Sequence, residues 1–203
     1  MNRHWKQALV LGAACAATGA LAQATVGRPA PAFSGTDTAG RPVALADFKG
    51  RYVVLEWTNP ECPFVRKHYD SGNLPATQKA ATAKGVAWVA VQTGADATPE
   101  GRRGLQAWQA SKQSAPTATV IDADGRIGRS YRAATTPQMV IVDPQGTVIY
   151  SGAIDSKSTA DPADIASATN YVNQALGEAL AGKPVSQPLT KPYGCSVKYP
   201  PGA

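Results

Sequence analysis

The sequence predicts a single α/β domain in which a central mixed β-sheet is flanked by helices on both faces. Residues 52–57 (YVVLEW) and 86–92 (VAWVAVQ) are nearly continuous apolar runs typical of buried central strands, and helical segments separate them. Residues 138–142 and 147–151 are strand candidates joined by DPQG, which favours a tight turn. Helix-separated strands imply a parallel portion of the sheet, and the hairpin adds an antiparallel edge.

Cap and turn signals locate the other elements. Helices are predicted over residues 63–69, about 75–84, 98–113, 127–131 and about 161–181, and a short strand over 119–121. The third of these helices begins at Thr98-Pro99-Glu100, which supplies a capping hydroxyl, a proline at the first helical position and an acid in the first turn. The last is predicted as one helix because apolar residues from Ile165 to Ala179 recur at helical spacing.

Composition excludes some classes of function. The chain has 203 residues, 43% of them hydrophobic, which is enough for one domain with a substantial core. The formal net charge is +6, but lysine and arginine neither cluster nor alternate with aromatic residues, so nucleic-acid binding is not indicated.

The N-terminus has the pattern of an export signal. A basic segment, MNRHWKQ, precedes a short apolar stretch that ends in Ala20-Leu21-Ala22, and this pattern predicts cleavage after Ala22. Lipidation at Cys15 is less favoured because Gly12 stands where such signals usually have a large aliphatic residue. We therefore expect a periplasmic or secreted protein without an integral membrane segment after cleavage. The full chain would comprise a signal peptide (1–22), a folded domain (23–181) and an extended C-terminal tail (182–203).

Removal of the signal leaves two cysteines, Cys62 and Cys195. Cys62 lies in WTNPECPFVRKHY, where a predicted strand gives way to a helix. The free N–H groups and the dipole at a helix N-terminus stabilise a thiolate, and Arg66 would add positive potential from the same helical face. The negative charge of Glu61 opposes this stabilisation of the thiolate. The alternative is a buried structural cysteine without reactivity.

Four segments resemble the thioredoxin-like superfamily, in particular its peroxiredoxin-like (alkyl hydroperoxide reductase/thiol-specific antioxidant) branch. Three of them, residues 31–57, 59–69 and 135–152, lie within a resemblance that spans residues 26–181. The fourth, KPYGCSVKY (191–199), is similar to the ending of a subgroup that has one active-site cysteine and one C-terminal cysteine. The resemblance implies a thioredoxin-like fold and redox activity of the antioxidant type.

The resemblance also implies roles for individual residues. Cys62 falls on the first cysteine of the thioredoxin dithiol motif, and Val65 falls on the second. Glu56 falls on the buried carboxylate that accepts the thiol proton, although a buried structural ion pair is an alternative for a carboxylate in an apolar strand. Pro137 matches a proline preceded by a cis peptide bond, which would turn the backbone of Thr136 toward Cys62 to pair with an extended substrate.

Three departures from true peroxiredoxins argue against efficient peroxidase activity. Those enzymes have their peroxide-reducing cysteine at the position of Val65 and a threonine three residues before it. They also have an arginine ahead of the later strand, where this chain has Thr135-Thr136. Asn59, three residues before Cys62, does not replace that threonine, so no donor that would polarise a peroxide bond is evident.

Metal binding is not predicted, and no cofactor is expected. Related copper-delivery proteins use a C-x-x-x-C pair with a histidine, whereas this chain has only Cys62 locally. His68 lies six residues further on, about 240° around an ideal helix, and we expect it at the surface.

Two hypotheses remain open from the sequence. In the first, the protein is a thiol-disulfide oxidoreductase that acts on protein thiols or disulfides, or on small thiols or peroxides. Cys62 attacks and Cys195, on the tail, resolves. In the second, a permanent Cys62–Cys195 disulfide staples the tail of a non-enzymatic exported protein. Such a disulfide would close a loop of roughly 130 residues and would stabilise the fold by about 5 kcal/mol.

Overall fold

The computed structural model describes residues 24–201. The strands are β1 (Ser34–Asp37), β2 (Pro42–Ala44), β3 (Val53–Trp57), β4 (Ala87–Thr93), β5 (Ala118–Asp122), β6 (Thr135–Thr136), β7 (Gln138–Val142), β8 (Val148–Gly152) and β9 (Cys195–Ser196). The helices are α1 (Pro63–Asp70), α2 (Asn73–Thr82), α3 (Pro99–Ser111), α4 (Arg126–Ser130) and α5 (Tyr171–Leu180). Two 3₁₀ helices cover Leu45–Phe48 and Pro162–Ser167.

Seven strands form one mixed sheet in the order β2-β1-β5-β4-β3-β7-β8. Strands β3, β4 and β5 are parallel, and the other pairs are antiparallel. The two predicted apolar runs become β3 and β4 at the centre, and the DPQG segment joins β7 to β8 as predicted. The mixed α/β architecture is therefore confirmed.

A separate hydrophobic cluster covers each face of the sheet. Alternation along β3 directs Val54 to the cluster that also contains residues of α1, α2 and α5, and it directs Leu55 and Trp57 to the opposite cluster. The second cluster is closed by α4 and by Phe48 of the first 3₁₀ helix. Helices thus cover both faces, as the sequence predicts.

The last predicted helix is wrong in its first half. Residues Pro162–Ser167 form a 3₁₀ helix, and Ala168 is extended with φ −84° and ψ 141°. The α-helix begins only after Asn170, whose side chain accepts a hydrogen bond from Asn173 N–H at 2.9 Å. The apolar spacing extends past this boundary, but the asparagine cap starts a new helix because it satisfies a free N–H there.

The C-terminal tail packs against the domain. Ser151 N–H donates to the Pro188 carbonyl at 2.9 Å, and Thr190 N–H donates to the Ser151 carbonyl at 3.1 Å. Further along, β9 pairs antiparallel with β6, and Val197 N–H donates to the Ala134 carbonyl at 3.0 Å.

The predicted signal peptide (1–22), with Cys15, lies outside the described residues. Within residues 24–201, none of the helices has both the length and the apolar character needed to cross a membrane.

Gly194 permits the close approach of β9 to β6, and its replacement tests that approach. Its φ is +129°, and a Cβ atom there would lie 2.0 Å from the Thr136 carbonyl oxygen. We expect Gly194→Ala to accelerate amide hydrogen exchange at Val197 about tenfold or more, because the side chain forces the two strands apart. Gly146→Ala is the matched control, since Gly146 has φ +85° but open space around it. Unchanged exchange at Val197 in Gly194→Ala would contradict this account.

Candidate functional site

Cys62 is the N-cap residue of α1, as the sequence predicts. Its backbone is extended (φ −76°, ψ 122°), and Pro63 takes the first helical position. Cys62 N–H donates to the Asn59 carbonyl at 3.0 Å, and the Cys62 carbonyl accepts from Arg66 N–H at 2.9 Å. The sulfur atom therefore lies at the helix N-terminus, where the Val65 N–H interacts with it.

The carbonyl before Pro137 faces this cysteine. The Thr136–Pro137 peptide bond is cis, as the resemblance implies, and Cys62 Sγ lies 3.1 Å from the Thr136 carbonyl oxygen, to which the protonated thiol donates. The Cys62 side chain is only 2% exposed. A role for Thr136 and Pro137 in substrate binding remains a prediction.

The C-terminal tail brings the second cysteine to the same place. Cys195 lies opposite Thr136 in the β6–β9 pair, so it occupies the backbone edge that the resemblance assigns to a substrate. Both cysteines carry free thiols, and a hydrogen bond links the two side chains. The structure therefore brings together four of the predicted site residues: Cys62, Cys195, Thr136 and Pro137.

The two thiols differ in their affinity for a proton. Burial raises the pKa of Cys62, but interactions with the Cys195 thiol, the Val65 N–H and Thr136 outweigh it, and the net pKa lies below the ordinary value. Burial, together with the neighbouring Cys62, raises the pKa of Cys195 to about 11, while Lys198 acts in the opposite direction. Cys62 is therefore the more acidic of the two thiols and loses its proton first.

Glu56 is fully buried in the middle of β3. Its carboxylate accepts hydrogen bonds from Tyr69 Oη at 2.7 Å, Gln78 Nε2 at 3.0 Å and Trp88 Nε1 at 2.6 Å. Burial raises its pKa, and these three donors oppose that shift. Its partners here are uncharged donors rather than a cation, and no hydrogen bond described for Glu56 reaches either thiol.

Two polar residues of α1 have different environments. Arg66 is exposed, and its Nε donates to the Pro60 carbonyl at 2.9 Å, within the loop that precedes Cys62. The surface position predicted for His68 is wrong, because this side chain is fully buried. The tail covers it, and its Nε2 lies 3.1 Å from Tyr193 Oη.

Sequence reasoning missed the partners of these buried groups. Tyr69 and Gln78, which bind Glu56, lie in two different helices, and no local spacing pairs them with β3. Tyr193 is also missed, although it lies two residues before Cys195 in a segment rich in prolines. The only signal is its position beside the cysteine. Among residues 24–201, no cluster of three or more His, Cys, Asp or Glu side chains could hold a metal ion.

A cleft of about 430 Å³ opens beside the site. Its walls include Asn59 and Glu61 before the cysteine, Gln92 in β4, Trp108 in α3 and Lys198 in the tail. It lies near the carboxyl ends of parallel strands, where ligands bind in open α/β sheets.

A helix-capping cysteine that faces the carbonyl before a cis proline, on a mixed sheet covered by helices, defines a thioredoxin-like redoxin. Residues 26–151, more than half of the chain, match the profile of the AhpC/TSA family. The chain therefore belongs to the AhpC/TSA family. The matched segment ends before Cys195, so this match does not include the tail.

Solved structures agree with this assignment. An uncharacterized conserved protein from Geobacillus kaustophilus is 27% identical, with a TM-score of 0.72, over 88% of this chain and 94% of its own. A hypothetical protein from Sinorhizobium meliloti 1021 is 24% identical and shares the fold, with a TM-score of 0.72 over 88% of this chain and 96% of its own. The thioredoxin domain of a thiol-disulfide oxidoreductase from Bacteroides vulgatus is 28% identical, with a TM-score of 0.52 over 63% and 87%. No curated protein sequence matches the chain.

The Cys195 thiol donates a hydrogen bond to the Cys62 thiolate. Replacing Cys195 therefore tests whether this donor lowers the pKa of Cys62. We expect Cys195→Ala to raise the pKa of Cys62, because the thiolate loses a hydrogen bond. Cys195→Ser, which keeps a donor, should restore most of the shift. The pH dependence of the rate at which Cys62 is alkylated measures both. An equal pKa in the alanine and serine variants would contradict the donor role.

Proposed function

We propose that this protein is an exported thiol-disulfide oxidoreductase in which Cys62 is the nucleophile and Cys195 the resolving thiol. The observation that carries the proposal is the position of Cys195 against Cys62 at the start of α1, where the pKa values of the two thiols are shifted in opposite directions. A low-pKa thiol at a helix N-terminus attacks disulfides, and the hydrogen-bonded high-pKa neighbour supplies the second thiol. A purely structural pair has no need of this asymmetry.

The reaction follows from thiol–disulfide exchange. The Cys62 thiolate attacks one sulfur of a substrate disulfide, forms a mixed disulfide and releases the other sulfur as a thiolate. Cys195 loses its proton and attacks Cys62 Sγ, which forms the Cys62–Cys195 bond and releases the second substrate thiolate. The substrate gains two electrons and the protein loses two. An external thiol donor then reduces the internal disulfide, and the reverse sequence oxidises a dithiol substrate.

The other site residues have supporting roles in this proposal. The Thr136 carbonyl, fixed by Pro137, orients the sulfur of Cys62. Arg66 holds the loop before Cys62 through Pro60 and adds positive potential near the helix start. Glu56 moves the proton, consistent with a pKa that burial raises.

Disulfide exchange fits this site better than peroxide reduction. Val65, which takes the position of the peroxide-reducing cysteine, is apolar and fully buried. Thr135 and Thr136, which stand where the arginine is expected, supply no cation. Efficient peroxidase activity is therefore not part of the proposal.

The second candidate is a non-enzymatic exported protein with a structural Cys62–Cys195 disulfide. The observation that favours it is the packing of the tail, which contacts the domain from Pro188 to Val197 and leaves Cys62 only 2% exposed. The two candidates predict different redox behaviour of the same pair.

The reduction potential of the Cys62–Cys195 couple separates the two candidates. The mature protein is equilibrated in graded thiol buffers, free thiols are alkylated, and the mass gives the fraction oxidised. We expect a potential above about −230 mV, because the stabilised Cys62 thiolate favours the reduced form. A potential below about −300 mV would identify a structural disulfide, and the catalytic roles would be withdrawn.

The role of Glu56 is tested by Glu56→Gln. We expect the rate at which Cys62 reacts with a small disulfide to fall about 10²-fold, because the amide cannot accept a proton. Tyr69→Phe is the matched control, since it removes a donor to the same carboxylate and leaves the carboxylate in place. If Glu56→Gln reacts at the wild-type rate, Glu56 is a structural residue.

A further inference from the structure

Tyr193 is inserted between α1 and the segment that follows β8. Its ring packs edge-on against Phe64, with ring centroids 5.9 Å apart, and Lys67 Nζ lies 5.7 Å from the centroid of the same ring. The phenol reaches the buried Asp155, which lies beyond the end of β8. The tail is therefore anchored two residues before Cys195 by a side chain that disulfide exchange itself does not use.

The phenol is the third member of a directed chain of hydrogen bonds. Asn73 Nδ2 is a donor and lies 2.9 Å from His68 Nδ1, so that ring nitrogen accepts. His68 Nε2 then carries the proton and donates to Tyr193 Oη at 3.1 Å, and Tyr193 Oη donates to Asp155 Oδ1. Burial lowers the pKa of His68 to about 4, which keeps the ring neutral at neutral pH. Burial and Asp155 raise the pKa of Tyr193, which keeps the phenol a donor.

Asp155, the last member of this series of hydrogen bonds, is a buried carboxylate that the phenol helps to satisfy. Asp155 is 2% exposed, and the cation that balances it is Lys67, whose side chain is fully buried with Nζ 3.7 Å from Asp155 Oδ2. Lys67 directs its hydrogen bond to the Lys157 carbonyl at 2.8 Å, and Asp155 Oδ2 has no hydrogen-bond partner within residues 24–201. Besides the phenol, Asp155 Oδ1 accepts from Lys157 N–H at 3.0 Å. The phenol is the side-chain donor to this buried carboxylate, and a hydrogen bond to a charged group is worth more than one to a neutral group.

Through Tyr193, both thiols are connected to the same helix, α1. Cys62 is the N-cap of α1, and Lys67 and His68 lie in the same helix one to two turns further on. Between Tyr193 and Cys195 there is only Gly194, which passes against the Thr136 carbonyl. A fixed phenol therefore fixes the position of Cys195 relative to Cys62.

We propose that Tyr193 is a positioning residue, the latch that holds β9 on the Thr136 edge, and that its release exposes Cys62 and that edge to an extended polypeptide thiol or disulfide. While the latch is closed, Cys195 occupies the edge with which such a substrate would pair, and Cys62 is covered. The inference rests on the proposed function in taking Cys62 as the sulfur that a partner must reach.

Tyr193→Phe tests the latch in the reduced protein, because it removes only the phenol oxygen and leaves the ring. Two rates report opening of the tail: alkylation of Cys62 by a neutral reagent and amide hydrogen exchange at Val197. We expect both to rise about tenfold, which corresponds to the loss of one hydrogen bond to a charged group. The pH midpoint of alkylation, which follows the pKa of Cys62, should stay at its wild-type value.

Two controls separate a latch from general loss of stability. Tyr52→Phe removes a phenol hydrogen bond to the Ala179 carbonyl, away from both thiols, and should leave both rates unchanged. In Tyr193→Phe, amide exchange at Leu55 in the central strand should also stay at the wild-type rate. The latch is refuted if Val197 and Leu55 accelerate equally, or if neither Cys62 nor Val197 reacts faster. A structural potential of the cysteine couple would overturn the proposed function alone, since tail opening is measured here without turnover.

Discussion

The antiparallel pairing of Cys195 with Thr136 is the contact on which the site depends. It places the second thiol against the first, across the carbonyl that already accepts from Cys62 Sγ. Without it, Cys62 would be a helix-capping cysteine with one nearby carbonyl and an open strand edge. With it, the lone cysteine of the local motif becomes part of a dithiol whose members lie 133 positions apart in the sequence. Cys195 in the tail thus supplies the second thiol that the local motif lacks at Val65.

Two buried carboxylates support this pairing in different ways. Glu56 is satisfied by three uncharged donors, so it can hold or release a proton without breaking an ion pair. Asp155 is balanced by a buried lysine and bound by the phenol of the tail, so its charge is used to hold structure. Both carboxylates would be costly alone in an apolar interior. The difference in their partners is why one fits a proton carrier and the other an anchor.

The parts predictable from sequence are those that local chemistry determines. The apolar run of β3, the proline after Cys62 and the DPQG turn each restrict the backbone within a few residues, and each prediction is confirmed. The two errors have different causes, one a contact with a distant segment and the other a local helix cap. His68 is buried because a tail more than 120 residues away covers it, and the last helix starts at Asn170 because a cap interrupts a continuous apolar pattern. The pairing of β9 likewise depends on tertiary contacts that local spacing does not encode.

Two opposing effects set the redox properties of the cysteine pair. Stabilising the Cys62 thiolate favours the reduced form and makes the disulfide more oxidising, because the charge it holds is lost when the S–S bond forms. Holding Cys195 against Cys62 favours the disulfide, because the entropy of bringing the thiols together is already lost in the reduced protein. The first effect resides in the start of α1 and the second in Tyr193 and β9. A redox-active cysteine pair and a structural disulfide can therefore share this geometry. The balance between thiolate stabilisation and tail anchoring decides which of the two the Cys62–Cys195 pair is.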